Sequence, residues 1–157
     1  MGDIWFYHLE HSALEAVLPD LLTKTLSRGW RALVHVGSPE RLKALDSHLW
    51  TYTDDSFLPH GVAGGAHDAD QPVLLTTDNG TGNAANANGA QVLFLVDRAP
   101  FPEGGPPEGH ERVVVLFDGR DPEALAEARS AWKALKDTGA ALSYWQQSPV
   151  GKWEKKA

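Results

Sequence analysis

The stretch RVVVLFDGRDPEALAEARSAWKALKDTG, Arg112 to Gly139, holds a strand, a turn and a capped helix in one run. RVVVLFDG is apolar almost without a break, the pattern of a strand covered on both faces of a sheet. Asp121 then takes the N-cap position, where a side-chain oxygen can accept an orphan backbone N–H. Pro122 follows at the first helical position, which needs no N–H of its own, and Gly139 marks the stop. A buried strand feeding a helix is the repeating unit of an α/β domain.

The rest of the chain repeats the unit. PVLLTT from Pro72 and AQVLFLVD from Ala90 are further apolar runs of strand length. RALVHVG, Arg31 to Gly37, is a buried strand, and Ser38 with Pro39 opens a helix that runs to about Trp50. IWFYHL, Ile4 to Leu9, is an aromatic-rich first strand. Ser12 and Glu15 form a capping box ahead of apolar positions at helical spacing, from Leu14 to Leu26, with Gly29 as the stop. Pro19 inside that pattern is expected to kink the helix or delay its start. ALSYWQQ, Ala140 to Gln147, reads as a closing strand.

These elements predict an α/β three-layer sandwich with a mainly parallel central sheet. It is Rossmann-like but lacks a nucleotide-binding loop. Residues 1–148 form a single domain, and residues 149–157, ending GKWEKKA, form a flexible tail. Two connections, Asp78 to Gly89 and Ala99 to His110, are small, polar or Pro/Gly-rich and have little to bury.

At 157 residues the chain can bury a core without staples, which suits its lack of cysteine. That lack excludes disulfides, thiolate metal sites and a cysteine nucleophile. No apolar run reaches the ~18–20 residues of a membrane span. The first residues also lack the basic-then-apolar order of a secretory signal. The sequence therefore reads as soluble and cytoplasmic. Residues 1–118 carry 7 Lys/Arg against 16 Asp/Glu, a net of −9, whereas residues 119–157 carry 7 against 5, a net of +2. An acidic body repels phosphate backbones, so broad nucleic-acid binding is not expected, while a local basic spot suits an acidic peptide.

Catalytic signatures are weak. The junction after the first strand, HLEHSALEA, holds none of the glycines that let backbone approach a pyrophosphate. GTGNAANANG has glycines but no lysine and no following helix, so it is not a phosphate-binding P-loop. His8 and His11 sit three apart at a strand end, where they need not share a face. His60, His67, Asp68 and Asp70 gather in PHGVAGGAHDAD, and a metal-dependent enzyme built on them is the alternative reading; no spacing such as H-E-x-x-H fixes a geometry there. Ser56 and Ser143 lack the setting of an activated nucleophile. No resident cofactor or metal is implied.

The last helix holds a more specific pattern. At about 100° per residue, Leu125, Ala128, Trp132 and Leu135 fall within one core-facing stripe. Arg129, Lys133 and Lys136 form a contiguous basic strip beside it, with Trp132 nearest the seam. An indole beside an arginine and lysines suits a ligand that pairs an apolar end with a carboxylate. The same pattern also fits a plain core tryptophan with cations answering the helix dipole. A second candidate is LWTYTDDSFLPHG, Leu49 to Gly61, in which Trp50, Tyr52, Phe57 and Leu58 need cover from the core or from a partner.

Seven stretches resemble, in order along the chain, the chi subunit family of the bacterial DNA polymerase III holoenzyme. They are FYHL (Phe6 to Leu9), LD..LW (Leu45, Asp46, Leu49, Trp50), SFLPHG (Ser56 to Gly61), QPVLL (Gln71 to Leu75), FDGRD (Phe117 to Asp121), ARSAWKALKDTG (Ala128 to Gly139) and YWQQ (Tyr144 to Gln147). The resemblance implies an α/β domain that binds no nucleotide and acts as a non-enzymatic adaptor in the clamp-loader complex. Its implied ligand is the acidic C-terminal tail of single-stranded-DNA-binding protein, which ends in a phenylalanine carboxylate. The family's Arg-x-x-aromatic-Lys pattern falls on Arg129, Trp132 and Lys133, with Lys136 one turn on. A further lysine that some members carry earlier in this helix is absent, since residues 124–126 read Ala-Leu-Ala. The resemblance also implies a second face for the psi subunit, at Trp50, Phe57, Leu58, Pro59 and His60. Contact with DNA is then only indirect.

Overall fold

The computed structural model describes residues 3–10, 14–51, 61–62, 70–77, 89–97, 111–137, 139, 141–149 and 152–156. Among these residues, eight strands and three helices follow one another as β1 (Asp3–Leu9), α1 (Leu14–Ser27), β2 (Ala32–Val36), α2 (Pro39–Thr51), β3 (Gly61–Val62), β4 (Val73–Thr76), β5 (Val92–Val96), β6 (Arg112–Asp118), α3 (Pro122–Asp137), β7 (Leu142–Gln147) and β8 (Trp153–Lys155). The strands form one sheet in the order β3-β4-β2-β5-β6-β1-β7-β8. β1 to β7 all pair in parallel, and only β8 runs antiparallel, against β7. This is the mainly parallel α/β sheet that the sequence predicts.

Alternation along the strands divides the core in two. Leu9, Val34, Phe94, Val96 and Leu116 face α1 and α2, and pack with Leu18, Leu22, Leu45 and Leu49. Ile4, Phe6, Leu33, Leu93 and Val113 face the other way, where α3 contributes Ala128 and Leu135. The centre of the sheet is covered on both sides: every residue of β2, β4 and β5 is buried. That is why these strands read as unbroken apolar runs rather than as alternating ones.

The helix signals resolve into specific bonds. Asp121 Oδ1 accepts from the Glu123 N–H at 3.0 Å, which caps α3. Gly139 adopts a φ of +79° and its N–H reaches the Lys136 carbonyl at 3.1 Å, closing the same helix. Ser38 Oγ accepts from the Arg41 N–H at 3.3 Å at the start of α2. Pro19 does not delay the start of α1; it is buried within the helix, and its carbonyl accepts from Thr23 Oγ1 at 2.8 Å.

Two short strands differ from the sequence reading. Residues 153–155 fall in the stretch read as a flexible tail, yet they form β8. Trp145 pairs with Lys155 and Gln147 with Trp153, and Trp153 packs against the core. The driving force is the indole, which gains an apolar wall by folding back on the sheet. β3 arises within the glycine-rich segment read as loop, and pairs with Leu74 and Leu75 of β4.

Replacing Asp121 by Ala removes the α3 cap, and by general experience with N-caps this lowers stability by about 1 kcal/mol. Urea unfolding followed by circular dichroism measures the change, and an unchanged midpoint would exclude a stabilising cap.

Candidate functional site

The connection from β6 to β7 passes over β1, and α3 occupies that span. The helix lays Ala124, Ala128 and Leu135 on the sheet, with Leu125 and Trp132 partly buried beside them. The stripe inferred from spacing is therefore the one that packs. Arg129, Lys133 and Lys136 are exposed on the flank, and none of their side chains has an ion pair or hydrogen bond among the described residues.

Trp132 is half-buried, neither sealed in the core nor loose on the surface. Its indole meets Phe6 of β1 at 5.4 Å between centroids and 80° between planes, and Tyr144 of β7 at 5.6 Å and 87°. Both contacts are edge-to-face, an arrangement worth roughly 0.5–1.5 kcal/mol each beyond the buried area. Phe6 and Tyr144 are direct neighbours in the β1–β7 register. Two rings on adjacent strands thus meet the indole edge-to-face, and Arg129, Lys133 and Lys136 lie three residues before, one after and four after Trp132 on the same helix.

Behind Tyr144 lies a polar chain that sequence reading does not reveal. The Tyr144 hydroxyl is 2.7 Å from His8 Nδ1, and His8 Nε2 stands 3.3 Å from Glu10 Oε1, outside hydrogen-bond alignment. Gln146 Nε2 donates to the same Glu10 oxygen at 2.7 Å. A neutral imidazole can accept the Tyr144 O–H at Nδ1, while Nε2 has no hydrogen-bond partner among the described residues. Burial, and secondarily the Arg129 guanidinium, hold the His8 pKa below its usual value, although Glu10 and Asp118 pull the other way. Burial likewise raises the Tyr144 pKa, against the Arg129 charge. Both groups therefore stay neutral near pH 7, and Arg129 is not cancelled by a tyrosinate beside it.

Gly119 explains why the imidazole can sit there. A Cβ on this residue would lie 1.7 Å from His8 Nε2 and 2.1 Å from Cδ2. His8 also lies 5.0 Å from the Phe117 ring, so it is boxed by backbone on one side and an aromatic on another. The parity of β1 puts His8 on the α3 face with Ile4 and Phe6, and the parity of β7 puts Gln146 there with Tyr144. Period-two reading could group these residues, but only the strand order β6-β1-β7 brings the groups together.

The crevice where open α/β sheets usually receive nucleotides has a different character. A cavity of about 190 Å³ opens at the carboxyl ends of β1, β5 and β6, with Asp97, Asp118 and Asp121 in its lining. Its two arginines are already engaged, Arg41 with Glu15 at 2.6 Å and Arg120 with Asp118 at 3.0 Å. Burial acts to raise the Asp118 pKa, but the Arg120 backbone N–H and guanidinium outweigh it and hold the carboxyl low. Three carboxylates at this edge oppose a phosphate.

The other sequence candidates are placed less fully. Trp50 belongs to the last turn of α2, and its side chain, with Phe57, Leu58, Pro59 and His60, lies outside the described residues. His67 and Asp68 also lie outside them, and Asp70 is exposed. Among the described residues no three His, Asp or Glu side chains gather as a metal site. No described helix is long and apolar enough to cross a membrane.

Two changes test the buried chain behind Trp132. Because His8 titrates lower in the folded than in the unfolded state, the folded protein binds fewer protons below about pH 6.5, and stability falls as pH drops through that range. The stability gap between wild type and His8→Gln, from denaturant unfolding, should shrink from pH 7.5 to 5.5; a constant gap would show that His8 is not held neutral. Gly119→Ala should lower stability by about 1–3 kcal/mol through overpacking against the imidazole. The nuclear magnetic resonance signals of His8 should shift in that variant, and an undisturbed imidazole would contradict the contact.

Comparison with known proteins gives these features a setting. A family model described as DNA polymerase III chi subunit, HolC, matches residues 1–143. The chain is also 24% identical over 161 residues to a protein of Rickettsia prowazekii (strain Madrid E) named probable DNA polymerase III subunit chi, over 99% of this chain and 92% of that one. The chain belongs to the DNA polymerase III chi subunit family.

Proposed function

We propose that this chi-family chain is a non-catalytic adaptor of the replisome, and that its α3 flank captures the acidic C-terminal tail of single-stranded-DNA-binding protein. The observation that carries the reading is the partly exposed Trp132 indole, clamped by Phe6 and Tyr144, next to three cations that have no ion pair among the described residues. A tail ending in phenylalanine presents an aromatic ring and an α-carboxylate together. The ring packs on the indole, and Arg129 forks onto the carboxylate. Lys133 and Lys136 attract the acidic residues that precede it.

Three features favour this site over a generic basic patch. The indole has one orientation, so part of the ordering cost is met before the ligand arrives. The neutral His8–Tyr144 pair adds no competing charge beside Arg129. The body of the chain is acidic, which opposes long nucleic acids but is outweighed locally by the α3 cations for a short peptide.

The adaptor's other attachment in this reading is to the clamp loader, through a psi-type subunit at Trp50, Phe57, Leu58, Pro59 and His60. DNA is reached through the partners rather than directly, and the work is cytoplasmic. No resident cofactor takes part.

A peptide ending Asp-Ile-Pro-Phe tests the tail site by calorimetry or fluorescence titration. Arg129→Ala should weaken binding roughly ten- to hundredfold, as expected for a charge-assisted bond of about 1.5–3 kcal/mol. Amidating the peptide terminus should remove most of the affinity, and raising salt should reduce it. Binding that survives both Arg129→Ala and amidation would place the tail elsewhere.

A further inference from the structure

The face of the sheet that carries α1 has a second cationic and aromatic arrangement, unrelated to Trp132. A cavity of about 110 Å³ opens among Trp5, Trp30, Lys24, Arg28 and Arg112, over a floor that includes Phe94 and Val114. The Arg112 guanidinium lies 3.8 Å from the centroid of the Trp5 ring and 5.5 Å from that of Trp30. Arg28 lies 5.4 Å from the other partner of the stack, Trp30. Indole and guanidinium therefore alternate: Trp5, Arg112, Trp30, Arg28.

The stack is short of acceptors. Arg112 Nε is buried and has no hydrogen-bond partner among the described residues. Lys24, Arg28 and Arg112 have no ion pair there either. Burial first, and the Arg28 charge second, disfavour the Arg112 cation, while Tyr7 and then Asp3 oppose them more weakly. Cation–π contact with two indoles compensates part of the desolvation, but a π face offers no lone-pair acceptor, and Nε stays without one among the described residues. Three like charges around one small cavity are a repulsion that an anion relieves.

We propose that this cavity binds a carboxylate side chain on an acidic segment of a partner polypeptide, gripped by Arg112 and Arg28. The donors around the cavity can satisfy only an acceptor, and fork geometry suits a carboxylate. The volume admits one such group with its methylenes. Trp5 and Trp30 offer apolar surface to the residues flanking the carboxylate, as Tyr7 does deeper in the lining. An extended polyanion is disfavoured because its remaining charges would lie against a chain of net charge −7.

The probe is acetyl-Leu-Asp-Glu-Leu-amide, blocked at both ends so that no terminal carboxylate is available to the α3 flank. It is titrated into the full-length, nitrogen-15-labelled protein while the indole N–H resonances are followed, each assigned by its Trp→Phe variant. Saturable shifts of Trp5 and Trp30, with Trp132 unmoved, are expected. Arg28→Glu, an exposed change that spares the fold, should weaken the shifts at least tenfold, and the Asn/Gln version of the peptide should produce none. Four results would each overturn the proposal. They are no saturable shift at millimolar peptide, shifts that persist in Arg28→Glu, shifts with the neutral peptide, and tighter binding of oligothymidylate to the same indoles.

Discussion

One side chain couples the last helix to the sheet at the point where the chain's positive charge gathers. Trp132 reaches down from α3 and its ring is met edge-on by Phe6 and Tyr144, residues that lie side by side on β1 and β7. Aromatic quadrupoles favour this arrangement, and two such contacts from rigid strands fix the indole more firmly than apolar burial alone. Arg129 and Lys133, adjacent on the helix, inherit that placement. Loss of the clamp would leave the cations on a helix whose rotation about its own axis was less defined.

β1 is the strand on which both halves of the molecule converge. Its even-numbered residues Ile4, Phe6 and His8 serve the α3 face, and its odd-numbered residues Trp5, Tyr7 and Leu9 serve the α1 face. The same strand therefore supports the Trp132 clamp on one side and the Trp5–Arg112–Trp30 stack on the other. On the α3 side the Arg129 side chain has no ion pair among the described residues; on the α1 side the Arg112 guanidinium lies 3.8 Å from the Trp5 centroid and 5.5 Å from that of Trp30. The first arrangement leaves the cation exposed to water, and the second has removed part of that water.

The fold has the layers of a nucleotide-binding domain without the chemistry. At the carboxyl edge of the sheet, where glycines and helix N-termini would cradle phosphate, the lining presents Asp97, Asp118 and Asp121 with arginines already paired. Ser38 Oγ donates to Asp97 at 2.9 Å, which further commits this edge to internal bonds. The exposed cations of α3 lie instead on a face of the sheet, on the flank of that helix.

Much of this was legible from residue order. Unbroken apolar runs identified β2, β5 and β6, because strands covered on both faces have no polar face to show. Asp121, Pro122 and Gly139 bounded α3 because helix ends must satisfy their own backbone groups locally. The division of α3 into a packed stripe and a basic flank followed from its 3.6-residue period. The residues that complete the site were not legible. His8, Glu10 and Gly119 are distant in sequence from Tyr144 and Gln146, and nothing local requires them to meet. Their contacts depend on β1 lying between β6 and β7, and β8 depends on Trp153 finding a wall built from β1 and β7. Local bonding rules determine where elements begin and end, and periodicity determines which side is apolar. Strand order is a property of the whole packed chain, so only the tertiary structure decided which aromatic rings and which charges became neighbours.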